Sequence, residues 1–98
     1  MNRKIRLHPT AQLELDEAAA YYDLEGLGLG SAFIDDFERA GEQIRQLPES
    51  SPIARDPVRE KLMTRFPYSV VYSFVSDEVY VLAVAHNRRR PFYWQDRL

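Results

Sequence analysis

The segment that follows the last predicted strand carries the residues best suited to bind a polyanion. It contains, in order, His86, Arg88, Arg89, Arg90, Tyr93 and Trp94. Arginine forks bind phosphate through paired hydrogen bonds, and tyrosine or tryptophan rings stack on unpaired bases. Because these residues follow the end of an apolar strand, we expect their side chains to face solvent. The pattern therefore predicts a surface that grasps a macromolecule, with RNA as one candidate.

Three further cations, Arg59, Lys61 and Arg65, precede this tail and could complete a nuclease site. Metal-free RNA cleavage needs one group to take the 2′-hydroxyl proton, one to protonate the leaving oxygen, and positive charge on the phosphate. Histidine is a residue type suited to proton transfer, so His86 is the candidate for that role, and the three cations supply charge. An alternative stays open, in which His86 only ends a strand with a backbone hydrogen bond.

The sequence predicts no metal site and no cofactor. The two histidines, His8 and His86, fall on different predicted strands without the spacing of zinc motifs, and cysteine is absent. The glycines of segment 26–30 lack the lysine and hydroxyl of a phosphate-binding loop. Acidic residues of both predicted helices, among them Glu14 and Asp36, are expected on faces away from the core.

Hydrophobic periodicity predicts the elements that position these residues. Helices are expected from Ala11, capped by Thr10, to the glycines 26–30, and from Ser31 to Leu47, with Gly41 allowing close helix approach. Strands are expected at Ile5 to Leu7, Val58 to Phe66, Tyr68 to Phe74 and Val79 to Ala85. The prediction is an α+β fold: an antiparallel two-helix hairpin packed on a twisted, mainly antiparallel sheet of three to four strands.

Length and composition restrict the class of protein. A chain of 98 residues with 45% hydrophobic residues is expected to form one folded domain over 1–98. The lack of cysteine, of a signal-peptide pattern and of a membrane-length apolar run predicts a soluble, cytoplasmic protein with no membrane partner. Residues 1–50 hold five Lys/Arg against ten Asp/Glu, and residues 51–98 hold eight against five. This asymmetry favours a macromolecular partner for the basic half.

Several motifs together resemble the RelE/ParE family of toxins from bacterial type II toxin–antitoxin systems, the ParE branch in particular. They are Ala18-Ala19-Ala20-Tyr21-Tyr22, Gly28-Leu29-Gly30 with Phe33, Arg65-Phe66-Pro67-Tyr68 with Val71-Tyr72, Val81 to His86, Arg89-Arg90-Pro91 and Tyr93-Trp94. Their order covers nearly the whole chain. The resemblance implies a growth-inhibiting, plasmid-stabilising toxin held in a hetero-oligomer by a cognate antitoxin, whose binding segment we expect to be acidic and amphipathic.

The resemblance leaves two targets. RelE-like toxins cleave mRNA in the ribosome without a metal, using basic residues of the sheet and a tyrosine near the C-terminus; Arg59, Lys61 and Tyr93 match those positions. ParE-like toxins inhibit DNA gyrase and cut nothing. Where the nucleases carry two further arginines, this chain has Ser69 and Asn87, which removes charge that a metal-free nuclease needs.

We therefore expect a gyrase inhibitor, whose target-binding residues are the nine residues named above: Arg59, Lys61, Arg65, His86, Arg88, Arg89, Arg90, Tyr93 and Trp94. A ribosome-dependent mRNA endonuclease is the alternative, with Arg59, Lys61, Arg65, His86 and Tyr93 as its catalytic set. A degenerate member that binds antitoxin without toxicity is the third possibility.

Overall fold

The computed structural model describes residues 3–98, which form two helices packed on one face of a five-stranded sheet. The elements are β1 (Lys4–Leu7), α1 (Pro9–Glu25), α2 (Leu29–Gln46), β2 (Ile53–Arg55), β3 (Val58–Leu62), β4 (Tyr68–Val75), β5 (Glu78–His86) and a 3₁₀ turn (Gln95–Arg97). The sheet order is β1-β5-β4-β3-β2, and β1 pairs parallel to β5 whereas the other pairs are antiparallel. The predicted α+β class and helix hairpin are confirmed. Neither helix is long and apolar enough to cross a bilayer, within residues 3–98.

The strand count differs from the prediction at one edge of the sheet. The short strand β2 lies between Pro52 and Pro57, where the sequence predicted no strand. Proline is tolerated at an edge strand because one side of that strand has no hydrogen-bonding neighbour. In addition, β3 ends at Leu62 rather than at Phe66, because the chain turns at residues 63–67.

Both helices begin earlier than predicted. The ring nitrogen Nδ1 of His8 accepts a hydrogen bond from the backbone N–H of Thr10 at 3.0 Å, so His8 caps α1 and Thr10 does not. Pro9 then occupies the first helical turn, where its missing N–H costs nothing. The second helix begins at Leu29, directly after Gly28, whose φ of 78° favours glycine.

The close approach of the two helices occurs at Gly30, not at Gly41 as predicted. A Cβ atom at Gly30 would lie 2.6 Å from the backbone oxygen of Ala19 and would also clash with the Asp23 side chain. At Gly41 an added Cβ would meet only the Cδ1 atom of Ile5, at an ordinary 3.5 Å. Glycine is therefore required for helix packing at position 30 and not at position 41.

The central strands β4 and β5 are buried on both faces. Tyr68, Val70 and Tyr72 belong to the core under the helices, whereas Val71 packs in a second cluster on the other face. That second cluster is covered by the segment that follows β5. The tail is thus part of a three-layer arrangement and not a free extension.

A β-bulge in β5 changes which of its side chains face the helices and which face the tail. Tyr72 pairs with Val81 but Val71 pairs with Ala83, so Leu82 is an extra residue in the ladder. Such a bulge changes which side chains face which layer. Val81 packs under the helices, and Leu82 and Ala83 both pack in the cluster on the other face.

Candidate target-binding surface

Two of the predicted cations, Arg59 and Lys61, lie on β3 on the helix side of the sheet. They pair with Tyr72 and Val70, which are buried under the helices, and directly paired residues of antiparallel strands share a face. The Arg59 Nη1 atom donates hydrogen bonds of 2.9 and 2.7 Å to backbone oxygens of the loop 49–51. This guanidinium therefore helps to hold the loop before β2.

His86 lies at the end of β5 on the same side, but a whole strand away. It pairs with Tyr68 on β4, and the two ring centroids are 5.1 Å apart. Lys61 lies on β3, with β4 between it and β5, so the Cα atoms of Lys61 and His86 are about 10 Å or more apart. The Nδ1 atom of His86 accepts the backbone N–H of Arg88 at 3.0 Å, which is the backbone hydrogen bond of the strand-ending alternative.

Arg65 lies in the turn 63–67, which the buried carboxylate of Asp36 organises. Asp36 is only 1% exposed. Its Oδ1 atom accepts from the backbone N–H and the hydroxyl of Thr64, and its Oδ2 atom accepts from the backbone N–H groups of Arg65 and Phe66. Burial alone would raise the pKa of Asp36, but these hydrogen bonds outweigh it and lower the pKa.

The predicted position of Asp36 on a solvated helix face is therefore wrong. A single acidic residue on a predicted helix gives no local signal that it binds a turn about 28 residues away. The turn in question does contain three consecutive backbone donors and a threonine, but such segments are common. Only the packing of α2 against the sheet makes Asp36 their acceptor.

The tail residues divide between exposed and buried positions. Arg88, Arg89 and Arg90 are exposed, as expected, and no carboxylate of residues 3–98 forms an ion pair with them. Trp94 is only 4% exposed and packs in the cluster with Val71 and Leu82, so the expectation that it faces outward is wrong. The physical reason is that the second face of the sheet is apolar and needs a cover.

Tyr93 is held by α1 and the last 3₁₀ turn. Its hydroxyl donates a hydrogen bond of 2.9 Å to Oε2 of Glu14, and Arg97 donates to both oxygens of the same carboxylate at 2.9 Å. Burial first, and then the bond to Glu14, raise the pKa of Tyr93. The phenolate form that a proton acceptor needs is therefore disfavoured. Glu14, predicted to face solvent, is instead mostly buried in this cluster.

The pKa of Glu14 reflects the same contacts. Burial would raise this pKa, but hydrogen bonds from Arg97, from the backbone N–H of Val84 and from Tyr93 outweigh burial and lower it. The bond to Glu14 is also the main reason that the pKa of Arg97 is raised. Both groups are therefore charged at neutral pH.

Glu14 and Arg97 also satisfy the edge of β5 where no strand covers it. The parallel strand β1 pairs only as far as Val81. Beyond that point, the backbone N–H of Val84 donates to Glu14 Oε1 at 3.0 Å and Arg97 Nη1 donates to the Leu82 carbonyl at 3.0 Å. Buried backbone groups need partners, and here two side chains replace the missing strand.

A groove lies on the sheet face opposite the helices, between β2–β3 and the tail, with a volume of about 620 Å³. We call it the arginine groove; it is lined by Pro52, Ile53, Ala54, Glu60, Leu62, Ser69, Ala85, His86, Asn87, Arg89, Arg90, Pro91, Phe92, Tyr93 and Trp94. Leu62, Ser69 and Ala85 pair across three strands and form a row of its floor. The Ser69 hydroxyl donates to the Asn87 side-chain oxygen at 2.9 Å.

Two guanidinium groups stack on aromatic rings beside this groove. The Cζ atom of Arg89 lies 3.8 Å from the centroid of the Tyr93 ring, and that of Arg55 lies 3.8 Å from the Phe92 ring. Arg55 also donates to the side chain of Gln95. Stacking holds a guanidinium by its face and leaves the N–H groups at its edge to bind an acceptor.

The nine predicted target-binding residues are therefore not gathered in one cleft. Arg89, Arg90, Tyr93 and Trp94 line the arginine groove, and His86 lines its end from a strand position on the helix side. Arg88 is not part of the lining. Arg59, Lys61 and Arg65 are outside its lining. Sequence reasoning missed Arg55 and Ile53 because the strand β2 was not predicted. It also did not single out Leu62, although the strand that carries this residue was predicted. No group of three or more His, Cys, Asp or Glu side chains in the described part of the chain could hold a metal ion.

Comparisons with known proteins agree with this fold. A family model described as the ParE toxin of a type II toxin–antitoxin system, parDE, matches residues 5–91. A solved structure described as a chromosomal ParDE TA system from P. aeruginosa matches with a TM-score of 0.60 and 18% sequence identity, over 86% of this chain and 95% of that chain. At this identity the structural similarity establishes the fold alone. No curated protein sequence matches significantly.

Proposed function

The chain belongs to the ParE toxin family of type II toxin–antitoxin systems, and on this premise we propose that it inhibits DNA gyrase by direct protein contact. A cognate antitoxin neutralises it by forming a hetero-oligomer. The antitoxin segment is acidic and amphipathic and complements cations of the second half that lie outside the arginine groove, such as Arg59, Lys61 and Arg65. Its ordering on the toxin buries on the order of 1,000–3,000 Å².

The environment of Tyr93 is the observation that carries this choice over RNA cleavage. A nuclease of the RelE type would use this tyrosine in catalysis, yet its hydroxyl already donates to Glu14 and its pKa is raised by burial and by that bond. The phenol is thus engaged in stabilising the fold. A group committed in this way is a poor proton acceptor for a 2′-hydroxyl.

The distribution of positive charge supports the same proposal. A metal-free nuclease needs cations preorganised around one scissile phosphate. Here Arg59 and Lys61 lie on the helix side of the sheet, whereas Tyr93 packs on the opposite side. Ser69 and Asn87 line the groove between the tail and β3, and their neutral side chains are hydrogen-bonded to each other. They therefore add no positive charge at this place.

The experiment compares gyrase inhibition with RNA cleavage. Purified protein is added to a gyrase supercoiling assay on relaxed plasmid and, separately, to a translating extract in which mRNA cleavage is followed by primer extension. We expect blocked supercoiling and intact mRNA. Cleaved mRNA with normal supercoiling would establish the endonuclease instead. Normal growth of cells that accumulate the protein without antitoxin would show that it is a degenerate member, which binds antitoxin but is not toxic.

The Tyr93→Phe variant sharpens this comparison. It removes the hydroxyl and keeps the ring that supports Arg89. An inhibitor that acts by contact retains its inhibition at temperatures where circular dichroism shows the variant folded, whereas a nuclease dependent on the hydroxyl loses cleavage. Tyr21→Phe, at an exposed tyrosine of α1, is the matched control.

A further inference from the structure

We infer that the arginine groove binds an acidic peptide segment carrying a large apolar side chain, presented by the protein that the toxin targets. This inference rests on the proposed function, because it specifies the surface through which a toxin that acts by contact engages its target. The inference also restricts the target-binding residues to those that line the arginine groove, and it includes lining residues of β2 and β3 that the sequence did not indicate.

The floor of the groove suits an apolar side chain. Leu62 is 67% exposed and lines the groove together with Ala54 of β2. Beside them the floor continues through Ala85 and the buried indole of Trp94. Exposed aliphatic side chains next to a concave surface gain free energy when a partner covers them, at roughly 25 cal/mol per Å² of apolar area.

The rim of the groove suits carboxylates. Arg89 and Arg90 line it, and Arg55 lies beside it on the Phe92 ring. None of these three forms an ion pair with a carboxylate in the part of the chain that the structure describes. Glu60 is the single acidic residue of the lining, so the groove keeps a net positive charge. Arginine forks bind carboxylates through two parallel hydrogen bonds.

The occupied ring faces favour a peptide over a nucleic acid. Proteins that bind single strands need free aromatic faces on which bases stack. Here the Arg89 guanidinium covers a face of Tyr93 and the Arg55 guanidinium covers a face of Phe92, while Trp94 is buried. What the groove presents outward is guanidinium edges and aliphatic carbon, and these match acidic and apolar side chains.

The size of the groove favours the target over the antitoxin as the source of the peptide. A cavity of about 620 Å³ holds a short anchoring segment. An antitoxin segment that folds on binding buries on the order of 1,000–3,000 Å², which needs a longer path over the surface. The groove is therefore the place where a short acidic segment of an already folded protein inserts one side chain.

Fluorescence anisotropy tests the chemistry without gyrase. The probe is a fluorescein-labelled decapeptide of alternating glutamate and leucine, and two control decapeptides replace all glutamates by lysine or all leucines by serine. We expect the first to bind at least tenfold more tightly than either control. Equal binding of the three peptides, or tighter binding of a ten-nucleotide oligothymidine, overturns the inference.

Variants locate the binding. Arg89→Gln combined with Arg90→Gln is expected to weaken binding of the first peptide at least tenfold, and Leu62→Ser about fivefold. The matched controls are Arg39→Gln and Leu24→Ser, at exposed positions on the helices. They are expected to bind like the parent protein. Unchanged binding by the groove variants, once circular dichroism shows them folded, overturns the assignment to this groove.

A second arm separates failure of this inference from failure of the proposed function. The groove variants are expected to need at least tenfold more protein to inhibit supercoiling, while their affinity for purified antitoxin stays within threefold. If the parent protein binds the peptide but does not affect gyrase, the groove stands and the gyrase proposal fails. If the variants inhibit gyrase normally, or lose antitoxin affinity instead, the assignment to the target fails.

Discussion

Glu14 on α1 and Arg97 in the last 3₁₀ turn form a bidentate salt bridge, in which Nη1–Oε1 and Nη2–Oε2 are both 2.9 Å apart. Their side chains are 13% and 14% exposed, respectively. The same two groups bind the backbone of β5 at Leu82 and Val84, so one contact joins the first helix, the uncovered edge of the sheet and the tail. Residues 83 positions apart in the chain thus organise the base of the tail.

Breaking this bridge should destabilise the fold strongly. We expect Glu14→Gln and Arg97→Met each to lower the free energy of unfolding by about 2–4 kcal/mol, because each leaves the charge of the other residue unpaired in a poorly solvated site, and Arg97→Met also removes the donor to the Leu82 carbonyl. The double variant should cost less than the sum by about 1–3 kcal/mol. Urea denaturation provides the measurement, and Glu17→Gln, exposed on the same helix, should stay within about ±0.5 kcal/mol. Additive single effects would contradict the coupling.

Asp36 should be required for the turn before β4. Asp36→Asn replaces one acceptor oxygen by an NH₂ group and leaves backbone donors of the turn 64–66 without an acceptor. We expect a loss of about 1–3 kcal/mol in the free energy of unfolding. The adjacent Asp35→Asn, at an exposed position, is the control and should be nearly neutral. Equal effects of the two variants would argue against this role.

Stability should fall in acid. The pKa values of Glu14 and Asp36 are lowered from ordinary values of 4.5 and 3.8, so their contribution is complete above those values and is lost as pH falls through the lower folded-state values. We expect the free energy of unfolding to decrease below about pH 4. Glu14→Gln and Asp36→Asn should each reduce this decrease, and Glu17→Gln should retain the parent slope. Parallel pH profiles for all variants would exclude these two carboxylates as the cause.

The two helix glycines should respond oppositely to alanine. Gly30→Ala places a methyl group against the backbone oxygen of Ala19, and a backbone atom cannot move away cheaply. We expect it to lower the thermal midpoint. Gly41→Ala meets only the end of the Ile5 side chain and gains about 1 kcal/mol of helix propensity, so it should be neutral or stabilising. Thermal unfolding followed by circular dichroism distinguishes the two, and the reverse order would be inconsistent with the helix packing.

The tail arginines should affect toxicity more than folding. Reversing the charge of Arg88, Arg89 and Arg90 to glutamate alters exposed side chains, for which substitutions change stability by about ±0.5 kcal/mol each. Loss of the Arg89 contact with Tyr93 adds about 0.5–1 kcal/mol. Growth inhibition on induction without antitoxin should be abolished, whereas Arg39→Glu on α2 should remain toxic. A triple variant that does not fold would show that the arginines are structural.

The amino-acid sequence alone determined the parts of this protein that depend on local periodicity. The four-three spacing from Ala11 to Tyr22 predicts α1, and the alternation from Tyr68 to Val75 predicts a central strand with one apolar and one mixed face. The same local patterns, with the run from Val81 to His86, carry the resemblance to the toxin family, which the match over residues 5–91 confirms. Periodicity survives folding because each element must present its apolar side to a core.

Tertiary structure alone decided the roles of isolated polar residues. Glu14 and Asp36 have the sequence context of ordinary helix-surface acids, yet one binds Arg97 and the β5 edge and the other binds a turn. From the sequence, Trp94 was expected to stack on a ligand, but it covers the second apolar face of the sheet. Hydrogen bonds between residues far apart in the chain leave no periodic trace, because their partners are brought together only by the packing of the helices and tail on the sheet.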